Sequence, residues 1–174
     1  AVAAGTGLAS LANTENVTGT AKADTLTGNN LANDLIGLGG DDIMNGGLGN
    51  DVVLGEAGND TITYLMGSGA DSVDGGAGTD TLNIVANGID ETLDLIVNAA
   101  GVVTQIEGGA ISTVETINVN LSGGNDTISY AGSASGVTVN LAVPSGTGLA
   151  SLSNTENVTG TAQADTLTGN NAAN

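Results

Sequence analysis

From Gly19 to Asn83 single aliphatic positions recur among polar and glycine-rich ones on a nine-residue beat. The units read GTAKADTLT (19–27), GNNLANDLI (28–36), GLGGDDIMN (37–45), GGLGNDVVL (46–54) and GEAGNDTIT (55–63). After two inserted residues follow MGSGADSVD (66–74) and GGAGTDTLN (75–83). Position eight is Leu26, Leu35, Met44, Val53, Ile62, Val73 or Leu82, and position six is Asp24, Asn33, Asp42, Asp51, Asp60, Asp71 or Asp80. An x-U-x triplet alternates out, in, out, so one aliphatic side chain per unit points inward. Glycines at positions one, two and four allow the crowded backbone of a tight turn. Each unit therefore predicts a turn followed by a very short strand.

Two such units make one full coil, about 18 residues long. Coils stacked at about 4.8 Å bring equivalent positions of alternate units together. Asp42 then lies over Asp24, Asp60 over Asp42, and Asp51 over Asn33. The predicted fold is all-β, a parallel β-roll or β-helix solenoid. A Gly/Asp-rich disordered linker is the competing description, but a linker has no reason to keep an aliphatic residue two places after each Asp.

A second, longer repeat encloses the first. Residues 5–33, GTGLASLANTENVTGTAKADTLTGNNLAN, return at 146–174 as GTGLASLSNTENVTGTAQADTLTGNNAAN, with differences only at Ala12/Ser153, Lys22/Gln163 and Leu31/Ala172. So close a match means tandem duplication, with Gly5 answered by Gly146; the expectation is one long repeat plus the start of the next, within a longer array. The chain divides accordingly into opening coils (1–36), the regular roll (37–83), a region without the nine-residue beat (84–145) and the start of the next repeat (146–174). Strand-like runs persist in 84–145, namely LNIVA, TLDLIV, VVTQI, VETINVNL and VTVNLAV, and predict wider coils with few glycine turns. Within that region TVETINVNLSGGNDTISY echoes NTENVTGTAKADTLT, with Glu115 answering Glu15 and Asp126 displaced by two residues. At about 18 residues per coil one long repeat would rise roughly 38 Å.

Composition changes the picture by exclusion. The 174 residues include 29 Gly and 19 acidic residues against one basic residue, Lys22, with no His, Cys, Trp or Phe and a net charge of −18. Without His or Cys there is neither an imidazole base, a thiolate nucleophile nor the usual zinc ligand set. No catalytic constellation is visible, and an enzyme is not expected. The charge argues against nucleic acid or an anionic membrane as partner, because both are bound through Lys and Arg. No run of about 18 apolar residues could span a bilayer, and the first residues lack the basic and apolar regions of a signal peptide, so any export signal is expected elsewhere. Carboxylates stacked from coil to coil repel one another, so the natural partner is a cation. Calcium takes several oxygens from carboxylates and carbonyls in flexible geometry, and Mg²⁺ fits less well.

GGLGNDVVL and GGAGTDTLN match the G-G-x-G-x-D-x-U-x nonapeptide, and the chain resembles the RTX (repeats-in-toxin, hemolysin-type) calcium-binding family. The resemblance is strong over 37–83, partial over 19–36 and weak elsewhere. It implies Ca²⁺ held by the position-six side chains of Asp42, Asp51, Asp60, Asp71 and Asp80, with Asp24, Asp126 and Asp165 as further candidates. It also implies that carbonyls of Gly47, Gly49, Gly58, Gly67, Gly69, Gly76 and Gly78 complete the shells. A protein exported by type I secretion, extracellular or on a bacterial surface, is what the family suggests. Asn33 in place of Asp predicts an incomplete site.

The remaining signals are weaker. Tyr64 and Tyr130 follow NDTIT and NDTIS at the same point and are expected to be partly buried staples at a coil edge. Asp90, Glu91 and Asp94 read as a solvated loop, with a further cation site as the alternative. The acceptor triplets at Asn16, Asn59, Asn120, Asn125 and Asn157 arise readily by chance in Asn- and Thr-rich turns. Three functions compete: a calcium-dependent structural module of a tandemly repeated surface protein, assembling with its own copies into a filament, layer or stalk; the extender of a large adhesin; and the secretion and folding domain of an exported hydrolase or toxin.

Overall fold

The out-in-out triplets fold as short strands, and the computed structural model, which describes residues 9–10 and 16–171, contains strands and turns only. The duplicated block 5–33, and Glu15 within it, therefore lie partly outside the described residues. One sheet has the order β1 (Ala9–Ser10), β3 (Thr25–Thr27), β5 (Ile43–Asn45), β7 (Thr61–Leu65), β9 (Thr81–Val85), β13 (Thr116–Asn120) and β17 (Ser151–Ser153). The opposite sheet begins with β2 (Asn16–Thr18), β4 (Asp34–Gly39), β6 (Val52–Ala57), β8 (Ser72–Asp74) and β12 (Gly109–Ser112). It continues through β11 (Val103–Ile106), β10 (Thr92–Val97), β14 (Thr127–Ser129) and β18 (Asn157–Thr159). A third, small sheet joins β16 (Ser145–Gly146), β15 (Thr138–Asn140) and β19 (Thr166–Thr168).

Register follows the sequence beat. Leu26 pairs with Met44, Met44 with Ile62 and Leu35 with Val53, each pair two nonapeptides apart. The inserted pair after Thr63 is taken up by lengthening β7, so Ile62 meets Leu82 and Val53 meets Val73. Every position-eight side chain from Leu26 to Leu82, together with Val17, is 2 % exposed or less. The core is thus a single file of aliphatic side chains per sheet, closed by strands that are parallel throughout this part.

Beyond Leu82 the coil roughly doubles. Leu82 pairs with Ile117 and Thr92 with Thr127, nearly four nonapeptide lengths on. The pattern of apolar runs does not mark one feature of this region: β10, β11 and β12 pair antiparallel. Glu107 and Gly108, with φ of 51° and 86°, form the two-residue left-handed turn that reverses β11 into β12. Tyr64 and Tyr130 are 1 % and 0 % exposed, inside the coil and not at its edge, and their hydroxyls donate to the carbonyls of Gly69 (2.7 Å) and Thr147 (3.0 Å).

Candidate metal centre

The position-six side chains form ladders along both edges of the roll. Asp24 N–H donates to Asp42 Oδ1, Asp42 N–H to Asp60 Oδ1 and Asp60 N–H to Asp80 Oδ1, each at 2.8 Å. On the other edge Asn33 N–H donates to Asp51 Oδ1 and Asp51 N–H to Asp71 Oδ1, at 2.8 and 2.9 Å. One oxygen of each carboxylate is therefore spent on coil-to-coil registration. The ladder does not stop with the nonapeptides: Asp80 N–H donates to Glu115 Oε2 at 2.8 Å.

The second oxygen divides the turns into two kinds. In the units of Asp24 and Asp165, position two is threonine, and Thr20 and Thr161 donate both backbone N–H and hydroxyl to the carboxylate at 2.6 to 2.9 Å. In the Asn33 unit, Asn29 N–H donates to Asn33 Oδ1 at 2.7 Å. These turns are closed by the protein's own donors. In the other kind, position two is left-handed: Leu38, Gly47, Glu56, Gly67 and Gly76 have φ between 71° and 99°. The corresponding Oδ2 atoms of Asp42, Asp51, Asp60 and Asp80 are buried and have no hydrogen-bond partner. Asp71 Oδ2 receives only Ser68 Oγ, at 3.3 Å.

Glycine is required where these turns stack. A Cβ on Gly55 would lie 2.3 Å from Asp60 Oδ2 and 2.4 Å from the carbonyl oxygen of Gly75, and one on Gly58 would lie 2.0 Å from the Gly40 carbonyl oxygen. Carboxylate and carbonyl oxygens of successive coils thus converge on the glycine backbone. All seven glycines expected to supply carbonyls have positive φ, from 71° at Gly67 to 153° at Gly78. Among the described residues no three acidic side chains converge on one point, so a cation in these turns would draw most of its oxygens from the backbone.

The electrostatics match a site short of positive charge. Burial pushes Asp42 up to about 6, helped by Asp60, Asp24 and Asp41 and opposed by the Asp24 N–H. Burial likewise raises Asp51, Asp60, Asp71 and Asp80. Asp165 goes the other way, held down by the N–H of Val137 and the donors of Thr161. A buried carboxylate oxygen without a donor costs free energy, and four of them within the five open turns suit a hard cation with oxygen ligands. The sequence beat does not distinguish Asp24 and Asp165 from Asp60; the signal is Thr20 or Thr161 at position two, with Lys22 or Gln163 in place of Gly at position four.

Comparison with known proteins agrees with this geometry. No curated protein gives a significant match to the chain. Residues 27–62, 67–83 and 153–174 match the family model of the RTX calcium-binding nonapeptide repeat, which carries four copies of the motif, and these segments of the chain belong to that calcium-binding repeat family.

Proposed function

We propose that the chain is a calcium-dependent structural module of a secreted, tandemly repeated surface protein, in which successive long repeats continue one solenoid as a filament, layer or stalk. Asp42, Asp51, Asp60, Asp71 and Asp80 hold calcium between coils, with carbonyls of Gly47, Gly49, Gly58, Gly67, Gly69, Gly76 and Gly78. The bound cation supplies the positive charge that the sequence lacks. Asp24 and Asp165, satisfied by Thr20 and Thr161, serve as metal-free turns between the calcium arrays.

The observation that carries the assembly reading is a comparison of the two copies of one residue. Leu26 is 2 % exposed because the coil of Met44 covers it, whereas its duplicate Leu167 is 44 % exposed. The second copy already pairs downward, β18 on β14 and β19 on β15. The first copy pairs upward, β2 with β4 and β3 with β5. The duplicates β18 and β2 therefore display the two sides of one joint, whereas β3 rests on β1 of its own copy and its duplicate β19 rests on β15. Among the described residues no helix is long and apolar enough to cross a membrane; that RTX repeats occur in secreted proteins supports an extracellular setting.

Circular dichroism of metal-free protein titrated with Ca²⁺ tests the metal assignment, with a gain of β signal expected; no change up to millimolar Ca²⁺ overturns it. Electron microscopy of a multi-unit chain tests the assembly, with regular rods or sheets expected. Dispersed particles without lengthwise continuity would move the reading to a secretion and folding domain.

A further inference from the structure

We propose that the outer face of the first sheet, from β3 to β17, is a lateral docking surface whose partner is the same face of a second copy, so that joined repeats pair side by side. This rests on the reading that long repeats continue one solenoid, and it adds the face through which two such solenoids meet.

Charge singles out this face. The chain carries 19 acidic residues, yet no strand of the sheet contains a charged one. The opposite sheet turns Asp34, Glu56, Asp74 and Asp94 outward, and Asp41 and Asp90 sit in the turns at the edges. Two copies of a chain of net charge −18 repel one another. Through this face they approach without setting carboxylate against carboxylate.

The polar groups on the face are already paired along it. Thr27, Asn45, Thr63, Asn83, Asn118 and Ser151 form one outward column by strand register. Asn118 Nδ2 donates to Asn83 Oδ1 at 3.1 Å, and Ser151 Oγ donates to Asn118 Oδ1 at 2.8 Å. In the neighbouring column Ile43, 56 % exposed, stands between Thr25 and Thr61. Amides that hydrogen-bond to one another lose little when water leaves. Asparagine ladders of this kind add to the cohesion of sheets stacked face to face.

Period and area identify the partner. Rungs recur at about 4.8 Å, and a second copy offers the same spacing along its whole length, as a two-fold contact between identical patches requires. The face measures about 29 Å by roughly 13 Å, on the order of 400 Å² per long repeat. A stable interface takes about 800 Å² from each side. One unit is therefore too small to pair, and joined units add their areas until pairing holds.

Light scattering and electron microscopy in saturating Ca²⁺ test this, on the chain itself and on several long repeats joined. The single chain is expected to be monomeric, and the joined repeats are expected to form rods paired side by side. Asn83→Asp keeps the acceptor for Asn118 Nδ2 and puts a negative charge on the face; it is expected to give single rods with unchanged β circular dichroism. Ser72→Asp places the same charge on the outer face of the opposite sheet and is expected to leave the pairs intact. Should Asn83→Asp lose its β signal, Thr63→Asp, one strand earlier in the same column, carries the test. Single rods from the wild type overturn the lateral face and leave the end-to-end reading standing; dispersed particles without lengthwise continuity overturn both. Pairs that persist in Asn83→Asp and vanish in Ser72→Asp put the contact on the opposite sheet and overturn the proposal. Single wild-type rods that sediment with cellulose, and cease to do so in Asn83→Asp, assign the face to a neutral polysaccharide and overturn self-pairing.

Discussion

Asp60 Oδ1 accepts the backbone N–H of Asp42 at 2.8 Å, while Asp60 Oδ2, buried in the same turn, has no partner. In the threonine turns the second oxygen is never left over, because Thr20 Oγ1 donates to Asp24 Oδ2 at 2.8 Å. The two turn types therefore respond differently to calcium. Thr20→Val is expected to destabilise the chain by about 1–3 kcal/mol, the cost of a buried acceptor losing its donor, and by the same amount with and without Ca²⁺. Asp60→Asn is expected to destabilise only the calcium-loaded form, and to stabilise the metal-free form by removing a donorless charge. Thermal unfolding of both variants in chelator and in saturating Ca²⁺ reads the contrast. A calcium-dependent loss in Thr20→Val would put a cation where hydrogen bonds are drawn.

Much of this was legible from the residues alone. The nine-residue beat with one aliphatic residue per unit determines strand positions and the two-unit coil, because a period-two strand has no other way to bury a lone Leu35 or Val53 while stacking Gly turns. The stacking of Asp51 on Asn33 and of Asp60 on Asp42 follows from it. The doubling of the coil after Leu82 is not legible, since the runs TLDLIV and VVTQI do not specify whether they pair parallel or antiparallel. The reversal rests on Glu107–Gly108, where only one of the two left-handed positions is marked by glycine. Nor is the split between open and closed turns carried by glycine count: Leu38, Glu56 and Ser122 are left-handed without being glycine, each imposed by the stack of coils around it.

Glycine at position four is a harder requirement. Gly58 has φ 147°, and a Cβ there would sit 2.0 Å from the Gly40 carbonyl oxygen, so neither the backbone nor the neighbouring coil can yield cheaply. Gly58→Ala is expected to cost on the order of 3 kcal/mol or more, seen as a lower Tm in saturating Ca²⁺. Gly123→Ala is the matched control, because a Cβ there meets nothing within 4 Å. Comparable destabilisation by the two substitutions would show that close coil-to-coil approach is not what selects glycine.

Protons compete for the same oxygens. Burial raises Asp42 to about 6 from an ordinary value of 3.8, and raises Asp51, Asp60, Asp71 and Asp80 as well. A folded-state value above the unfolded one means that the folded chain holds more protons across that window. Stability of the metal-free chain is then fully present below about pH 4 and is lost as pH rises through about 6. For Asp42 alone the swing is on the order of 3 kcal/mol. With calcium the dependence reverses, since the cation displaces protons and binds more tightly as pH rises. Melting curves of dialysed metal-free protein between about pH 4 and 7 check the first half, with Tm falling as pH rises. A Tm that climbs over this interval without metal would mean that the buried carboxylates are compensated by something other than a cation.

The two sizes of coil also determine the length of the assembled unit. If every coil took about 18 residues, one long repeat would rise roughly 38 Å. The later coils are longer, and the ladder bonds from Asp80 to Glu115 and from Glu91 to Asp126 each bridge a separation of 35 in the chain. Along the first sheet, six strand-to-strand steps lead from β1 to β17, whose Ser10 and Ser151 are duplicates of one another. At about 4.8 Å per step this all-parallel sheet sets an axial repeat of about 29 Å; the opposite sheet takes eight steps from β2 to its duplicate β18, about 38 Å, because β11 and β12 add two antiparallel strands to it. Fibre diffraction or helical averaging of a multi-unit chain measures this directly. A layer line at about 29 Å is expected beside the strong strand reflection at about 4.8 Å. A repeat of about 38 Å would mean that the opposite sheet, with β10 to β12 as full rungs, sets the rise in place of the parallel one.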